Sequence, residues 1–407
     1  MTKGSAQLSS KALNKAVLVT FILVIIAACA QTPTPPSSTP PPVQNTTPTN
    51  TNIPDVLLLP TQTPFYVTAS VWQTDPVVPI LLYHRFKTNR PSTSNIVSRL
   101  DFQDELEKLY ASGYVTISIE RWLAGDLRVP EGKRPLVLSM DDLFYRNQIV
   151  LTSNGTPSDQ TGLGLAWKFS QEHPDFGFHW ALFANLGDKP FGDGETLAER
   201  DIQLANVIVW CLENDAMVYN HTYRHVRFKY TNGLGVTAEL KSNDLSLRRL
   251  LTLVNRQDLI SKPGNLFALP AGQWPRTKDA QTALYGYKNP EGKPLQAIFD
   301  VDFIARPNFM SAPYTKKFDR WKLPRMVADL PAVKYLTEKK DAIPAAQQCE
   351  VGPLDESHAG DAKYMGGQVL SMVQSGKCPA GVYAMENFVF RASTIQADLL
   401  QEITKSK

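Results

Sequence analysis

The chain has 407 residues, 43% of them apolar and 20% charged, with a formal net charge of +3. Lys3, Lys11 and Lys15 account for that excess, so the remainder has no charge bias of the kind that marks a nucleic-acid-binding protein. The length allows one large domain or two ordinary ones with real cores.

Residues 1–28 place the three lysines ahead of a short apolar run, AVLVTFILVIIAACA. That run is shorter than the ~20 residues that span a bilayer comfortably. A basic start, an apolar stretch and small residues at its end form a secretory signal. Its last residues, Ile26-Ala27-Ala28-Cys29, resemble the bacterial lipobox, which implies that Cys29 carries a lipid and tethers the chain to the membrane. An uncleaved membrane anchor is the alternative, and either one puts the rest of the chain outside the cytoplasm. Residues 29–75 follow as a Pro/Thr-rich linker. Within it, residues 31–64 hold ten of the thirty prolines and one charge, Asp55. Such a stretch buries little surface and stays extended, so it serves as a spacer.

From Val78 onward, short apolar runs alternate with amphipathic ones. Strands are expected at 78–84, 114–118, 135–142, 179–186, 216–222, 265–272 and 295–303. Helices are expected at 99–113, where Leu100, Phe102, Leu106 and Leu109 repeat at roughly helical spacing, and at 194–215 and 237–254. Near-continuous apolar strands between helices indicate a parallel sheet covered on both faces, or a barrel. Seven strands favour an α/β fold, a distorted (β/α)7 barrel over residues 76–330, with 331–407 as a C-terminal extension of unreadable role. Cys211 lies in an apolar helix-like run and reads as a core thiol. Cys349 and Cys378 bracket a Gly-rich segment, and a disulfide between them suits an oxidising compartment.

Catalytic groups of such barrels gather at the C-terminal ends of the strands. His84 ends the first strand, Asp141 and Asp142 end the third, and His221 ends the fifth. His221 and His225 are four apart, and on a helical turn both rings would share one face and could share a metal. Two imidazoles and a carboxylate form a donor set that leaves a position open. The zincin pattern is excluded, because Thr222 stands where it needs a glutamate. Each signal alone is weak: paired acids at a strand end often cap a helix, and spaced histidines often lie on a surface. His173 reads as a helix end, His179 as the wrong end of a strand, and His358 as part of a polar loop.

The segments LVLSMDD and NHTYRH, at the ends of the third and fifth strands, resemble the first two motifs of the polysaccharide deacetylases with the NodB homology domain. The resemblance runs from about Val78 to Met326. It implies that Asp141 is the general base and that Asp142, His221 and His225 hold a divalent metal, with Zn2+ first and Co2+, Ni2+ or Fe2+ next. Leu143 replaces the glycine that follows the acids in that family and is expected to crowd the mouth of the site. The segment FALPAGQWP keeps Pro270 but has no arginine before it. WKLPRM offers Arg325 where the family has a histidine acid, and an arginine gives up no proton at neutral pH; it is expected to bind substrate. His84 matches the histidine acid of the poly-N-acetylglucosamine branch. Trp274 and Tyr314 are candidates to stack on sugars or to pack. The resemblance thus implies a metal-dependent deacetylase acting on an acetylated extracellular or cell-wall polysaccharide. A glycan-binding protein that has lost turnover is the alternative, and a carbon–nitrogen hydrolase acting on a small cyclic amide is a third reading.

Overall fold

The computed structural model describes residues 64–403, apart from 89–90, 94, 188–190, 193, 195 and 302–306. The signal segment, Cys29 and most of the expected linker therefore lie outside the described residues. Among the described residues no helix is long and apolar enough to cross a membrane.

The central sheet is parallel and follows six of the expected strands, while the expected strand at 114–118 only adds to its side and Met326–Val327, which was not expected, completes it. Strand β1 (Phe65–Trp72) belongs to a second sheet, described below. The barrel strands are β2 (Ile80–Tyr83), β3 (Arg134–Leu143), β4 (Trp180–Ala184), β5 (Ala216–Asn220), β6 (Leu266–Ala268), β7 (Ala297–Phe299) and β8 (Met326–Val327). Their order is β7-β6-β5-β4-β3-β2-β8, and Tyr114–Thr116 adds to the start of β3. On the far side, Phe299 bridges to Leu323 in parallel, just before β8. The strands thus curl into a distorted (β/α)7 barrel. β4 and β5 are buried along their whole length, as strands covered on both faces must be.

Helices α1 (Arg99–Ala111), α2 (Gly162–Glu172), α3 (Leu197–Glu213), α4 (Gly233–Leu253) and α5 (Lys278–Tyr285) follow successive strands. Thr196 and Glu199 close a capping box at the start of α3, satisfying donors the helix cannot pair itself. On α1, Phe102, Leu106 and Leu109 are buried as their spacing predicts, but Leu100 is 78% exposed. Glu105 is buried on α1 as well, and its Oε2 accepts from Tyr83 Oη at 3.1 Å.

Burial pushes the Glu105 carboxyl from its ordinary 4.5 up to about 8. The folded chain then holds a proton there that the unfolded chain releases, so stability falls as pH rises across that window. Glu105→Gln keeps the acceptor and removes the titration. Its melting temperature should match the parent's near pH ~5 and exceed it by several degrees at pH ~9. An equal gap at both pH values would mean that Glu105 carries no such proton.

The second sheet corrects the expected domain boundaries. Strands β9 (Gln347–Leu354), β10 (Gly381–Ala384), β11 (Phe388–Ala392) and β12 (Ala397–Glu402) join β1 in the order β9-β1-β10-β11-β12. Residues 65–72, expected to end the disordered linker, therefore form an interior strand. The reason is burial: Ala69, Val71 and Trp72 are fully enclosed. Helix α6 (Leu330–Glu338) packs Val333 and Leu336 into the barrel core, while α7 (Ala362–Gln374) packs Met365 and Val369 onto the second sheet. The extension from residue 331 is thus shared between the two. Ser70 joins sheet to barrel, its Oγ donating to Val129 O at 2.8 Å. Cys349 on β9 forms a disulfide with Cys378, which lies between α7 and β10, and Cys211 is free and buried.

Candidate metal centre

A bulge at the end of β3 separates the two adjacent acids. Met140 pairs with Leu182 and Leu143 with Ala184, so Asp141 and Asp142 together stand opposite Phe183 alone. A bulge bends the strand and re-aims its side chains. Asp142 takes a left-handed backbone, φ 60°, which non-glycine residues adopt uncommonly. The two carboxylates diverge as a result. Asp141 is 3% exposed at its side chain and turns inward, whereas Asp142 is 21% exposed and faces the rim. Leu143 is buried in the core rather than crowding the mouth, because the bulge returns the strand to its pairing with β4.

Arg325 corrects a second expectation. It reaches no substrate: its side chain is fully buried. Nη1 and Nη2 donate to the two oxygens of Asp141 at 2.6 and 2.8 Å, and Nε donates to Asp300 O at 3.1 Å. Its guanidinium also lies 5.0 Å from the centre of the Phe183 ring. The residue sits just ahead of β8, inside the closing barrel, and points at the bulge. Burial alone would raise the Asp141 carboxyl, but the Arg325 cation and the nearby imidazoles bring it down to about 2.

The two histidines meet on a loop, not on a helical turn. Thr222 and His225 both adopt left-handed backbones, φ 62° and 57°. Asn220 Oδ1 accepts from Thr222 N at 2.9 Å, and Thr222 Oγ1 accepts from Val226 N at 3.0 Å. Side-chain oxygens that cap their own turn in this way make such a conformation tolerable. The Asn220 amide donates in turn to Leu240 O and to Asp244 Oδ1, which fixes the loop to α4. The ring centres of His221 and His225 are 5.0 Å apart.

Asp142, His221 and His225 each offer a ligand atom, and those atoms lie within 4.8 Å of one another. His225 Nε2 is 3.1 Å from Asp142 Oδ1, and His221 Nε2 is 3.8 Å from it. The donor set suits a divalent cation on two counts. Asp142 Oδ1 is buried with no hydrogen-bond partner. His221 Nδ1 lies 2.9 Å from Ala268 O, the contact that holds the imidazole in the tautomer with Nε2 free to ligate. Burial also lowers the His221 pKa, against the pull of Asp141 and Asp142, and the neutral ring is the ligating form.

His84 stands at the same rim. Its Nδ1 is buried with no partner. Burial lowers its pKa, while Asp141 and Asp142 act in the opposite direction. Gln148, fully buried, ties His84 O at 2.5 Å to Asp141 O at 3.1 Å through one amide nitrogen. No pattern in the sequence pointed to Gln148, which acts through backbone carbonyls. Asn220 did have a signal, since it adjoins His221.

Other expected residues are held by contacts of their own. Pro270 is buried at the start of a short turn after β6, so it presents nothing to a substrate. Trp274 is half-buried, and its indole donates to Asp300 Oδ2 at 2.8 Å. Tyr314 Oη donates to Asp75 Oδ1. His173 caps the end of α2, His179 precedes β4, and His358 pairs with Asp355 in an exposed turn.

No family model matches the sequence, and no curated protein matches it. Among solved structures the chain is similar to the Streptococcus pyogenes deacetylase PplD in complex with acetate, at 15% identity and a TM-score of 0.43, over 65% of this chain and 99% of that one. It is also similar to a polysaccharide deacetylase from Bacillus cereus, at 15% identity and 0.41, over 65% and 69% of the two chains. IcaB from Ammonifex degensii matches at 17% identity and 0.41, over 65% and 97%.

Proposed function

We propose that the chain is a metal-dependent hydrolase that removes N-acetyl, or O-acetyl, groups from a polysaccharide outside the cytoplasm, where a lipid at Cys29 would hold it to the membrane. The observation that carries this reading is the ionised Asp141, which borders the Asp142–His221–His225 donor set without belonging to it. A carboxylate so placed can take a proton from water at the reacting carbon. Asp142, His221 and His225 would hold the cation, Zn2+ by donor type or else Co2+, Ni2+ or Fe2+. When bound, such a cation polarises a carbonyl and acidifies water.

Within this reading Arg325 keeps Asp141 ionised and fixes its two oxygens. His221 Nδ1 and Asn220 set the ligand loop. His84 would give a proton to the leaving group after first taking one up, a step that its burial opposes and the Asp141 and Asp142 charges favour. The rim residue Trp274 would border the sugar.

One observation favours the alternative, a glycan-binding protein without turnover. Both Asp141 oxygens are engaged by Arg325, and a carboxylate held near 2 is a weak proton acceptor. Acetate release from N-acetylated oligosaccharides, measured beside metal content, separates the two. Under the hydrolase reading His221→Ala loses both metal and turnover, while Asp141→Asn keeps the metal and loses turnover by about 10²- to 10⁴-fold. A parent chain that binds metal stoichiometrically and releases no acetate would leave the binding protein. For His84→Ala the pH profile is decisive: turnover that survives with an unchanged profile removes His84 as the acid.

A further inference from the structure

Two loops at the C-terminal side of the barrel carry more positive charge than their surroundings compensate. The loop after β5 continues past His225 through Arg227 and Lys229 to Tyr230, and the loop after β6 runs through Trp274 to Arg276, with Lys278 opening α5. The loops touch each other. Gly233 N donates to Asp279 Oδ2 at 2.7 Å, the Arg276 guanidinium lies 5.9 Å from the Tyr230 ring centre, and the Lys229 ammonium lies 5.3 Å from it.

Tyr230 is 75% exposed, with its ring bordered by these cations and no aromatic ring partner among the described residues. None of Arg227, Lys229, Arg276 and Lys278 has an ion-pair partner among the described residues. The nearby carboxylates are engaged already: Asp279 accepts from Gly233 N, and Glu239 is paired with Arg224. Tyr230 follows His225 by five residues, so their Cα atoms are at most ~18 Å apart. That distance is within the span of a short oligosaccharide.

We propose that Arg227, Lys229 and Arg276 bind an anionic group, a carboxylate or a phosphate, on a sugar neighbouring the acetylated one, with Tyr230 as the surface on which that sugar lies. The assignment rests on the hydrolase reading and narrows its substrate to an acidic glycan. The chemistry follows from the side chains. Guanidinium groups match the planar oxygens of carboxylates and phosphates. An exposed aromatic ring offers a flat apolar face for a sugar with little entropy to lose.

The test compares N-acetylated oligosaccharides of one length that are uncharged, carboxylated or phosphorylated. Equilibrium dialysis with the full chain in a chelator reports binding without turnover, and acetate release by the metal-loaded chain is measured separately. Either charged oligosaccharide should bind about 10-fold more tightly than the uncharged one at low salt, with the gap closing as salt is added. Arg227→Ala with Arg276→Ala should weaken the charged ligand by about 4- to 25-fold, roughly 2- to 5-fold for each exposed contact, and leave the uncharged one unchanged. Tyr230→Ala should weaken all three. Equal affinity for charged and uncharged ligands overturns the proposal, and so does an equal loss for both in the double variant. Binding of anionic lipid vesicles, lost in that variant while oligosaccharide binding stays the same, would make the patch a membrane contact instead. A charge preference without acetate release would remove the hydrolase and keep the subsite, whereas acetate release with no preference would do the reverse.

Discussion

Replacing Arg325 with alanine should cost about 3–5 kcal/mol of folding free energy at neutral pH, because it leaves a buried carboxylate without its counterion. The pair is enclosed on both sides, with Arg325 fully buried and Asp141 nearly so, so no bulk solvent stands ready to replace the lost guanidinium. The pH dependence follows from the position of Asp141. In the parent its carboxyl lies at about 2, below the ordinary 3.8. It therefore contributes stability above 3.8 that is lost only as pH falls toward 2. Without Arg325, burial dominates and raises the folded value above 3.8. The variant then loses stability as pH rises through that higher value. The gap between the two proteins should be widest near pH ~7 and narrow toward pH ~4. Urea titrations at both pH values measure it, and a gap under ~1 kcal/mol at neutral pH would sink the idea. Arg325→Met combined with Asp141→Leu should be less destabilising than Arg325→Ala alone, since removing both charges strands neither.

A chain beginning at residue 76 should lose the second sheet altogether. β1 lies between β9 and β10, so its removal opens both of their edges at once. It also withdraws Val71 and Trp72 from full burial, at about 1.5–3 kcal/mol for each large apolar side chain. The ladder from Val67 to Val71 against β9 is lost as well. A small sheet has no such reserve. Protease should cleave between residues 347 and 403 of the shortened chain within conditions that leave a chain beginning at residue 62 intact. Equal resistance of the two would mean that β1 is dispensable. Metal content of the shortened chain reports separately on the barrel.

These two sites also mark the limits of what the sequence disclosed. All the barrel strands but Met326–Val327 were legible because each is a compact apolar run between helical patterns. His221 and His225 were legible through their local spacing, and Asp142, 79 positions earlier, through the apolar run it ends. Asp141 and Asp142 were visible as a pair, but the bulge that divides their roles depends on register with β4 and leaves no trace in the run itself. Arg325 was visible too, yet its partner lies 184 positions away, and only closure of the barrel brings them together. Leu100 fits the apolar stripe of α1 but faces solvent, and no spacing rule foretold the neutral Glu105 in its neighbourhood. The segment FYVTASVW is rich in β-formers. It was read as linker because prolines precede it and its partners lie at the far end of the chain.

The placement of β1 also sets an order of events during synthesis. Ala69 pairs with Cys349, and Ser70 with Ala384, so the first strand made must wait for nearly the last ones. Pairings so distant in sequence form slowly. The barrel strands can associate in the meantime, while β1 keeps both edges open. A hydrophobic strand held open in that way is an invitation to pair with another chain. Until residue 384 has been delivered, a folding helper that covers Phe65–Trp72 would therefore do more for the yield of this protein than one acting on the barrel.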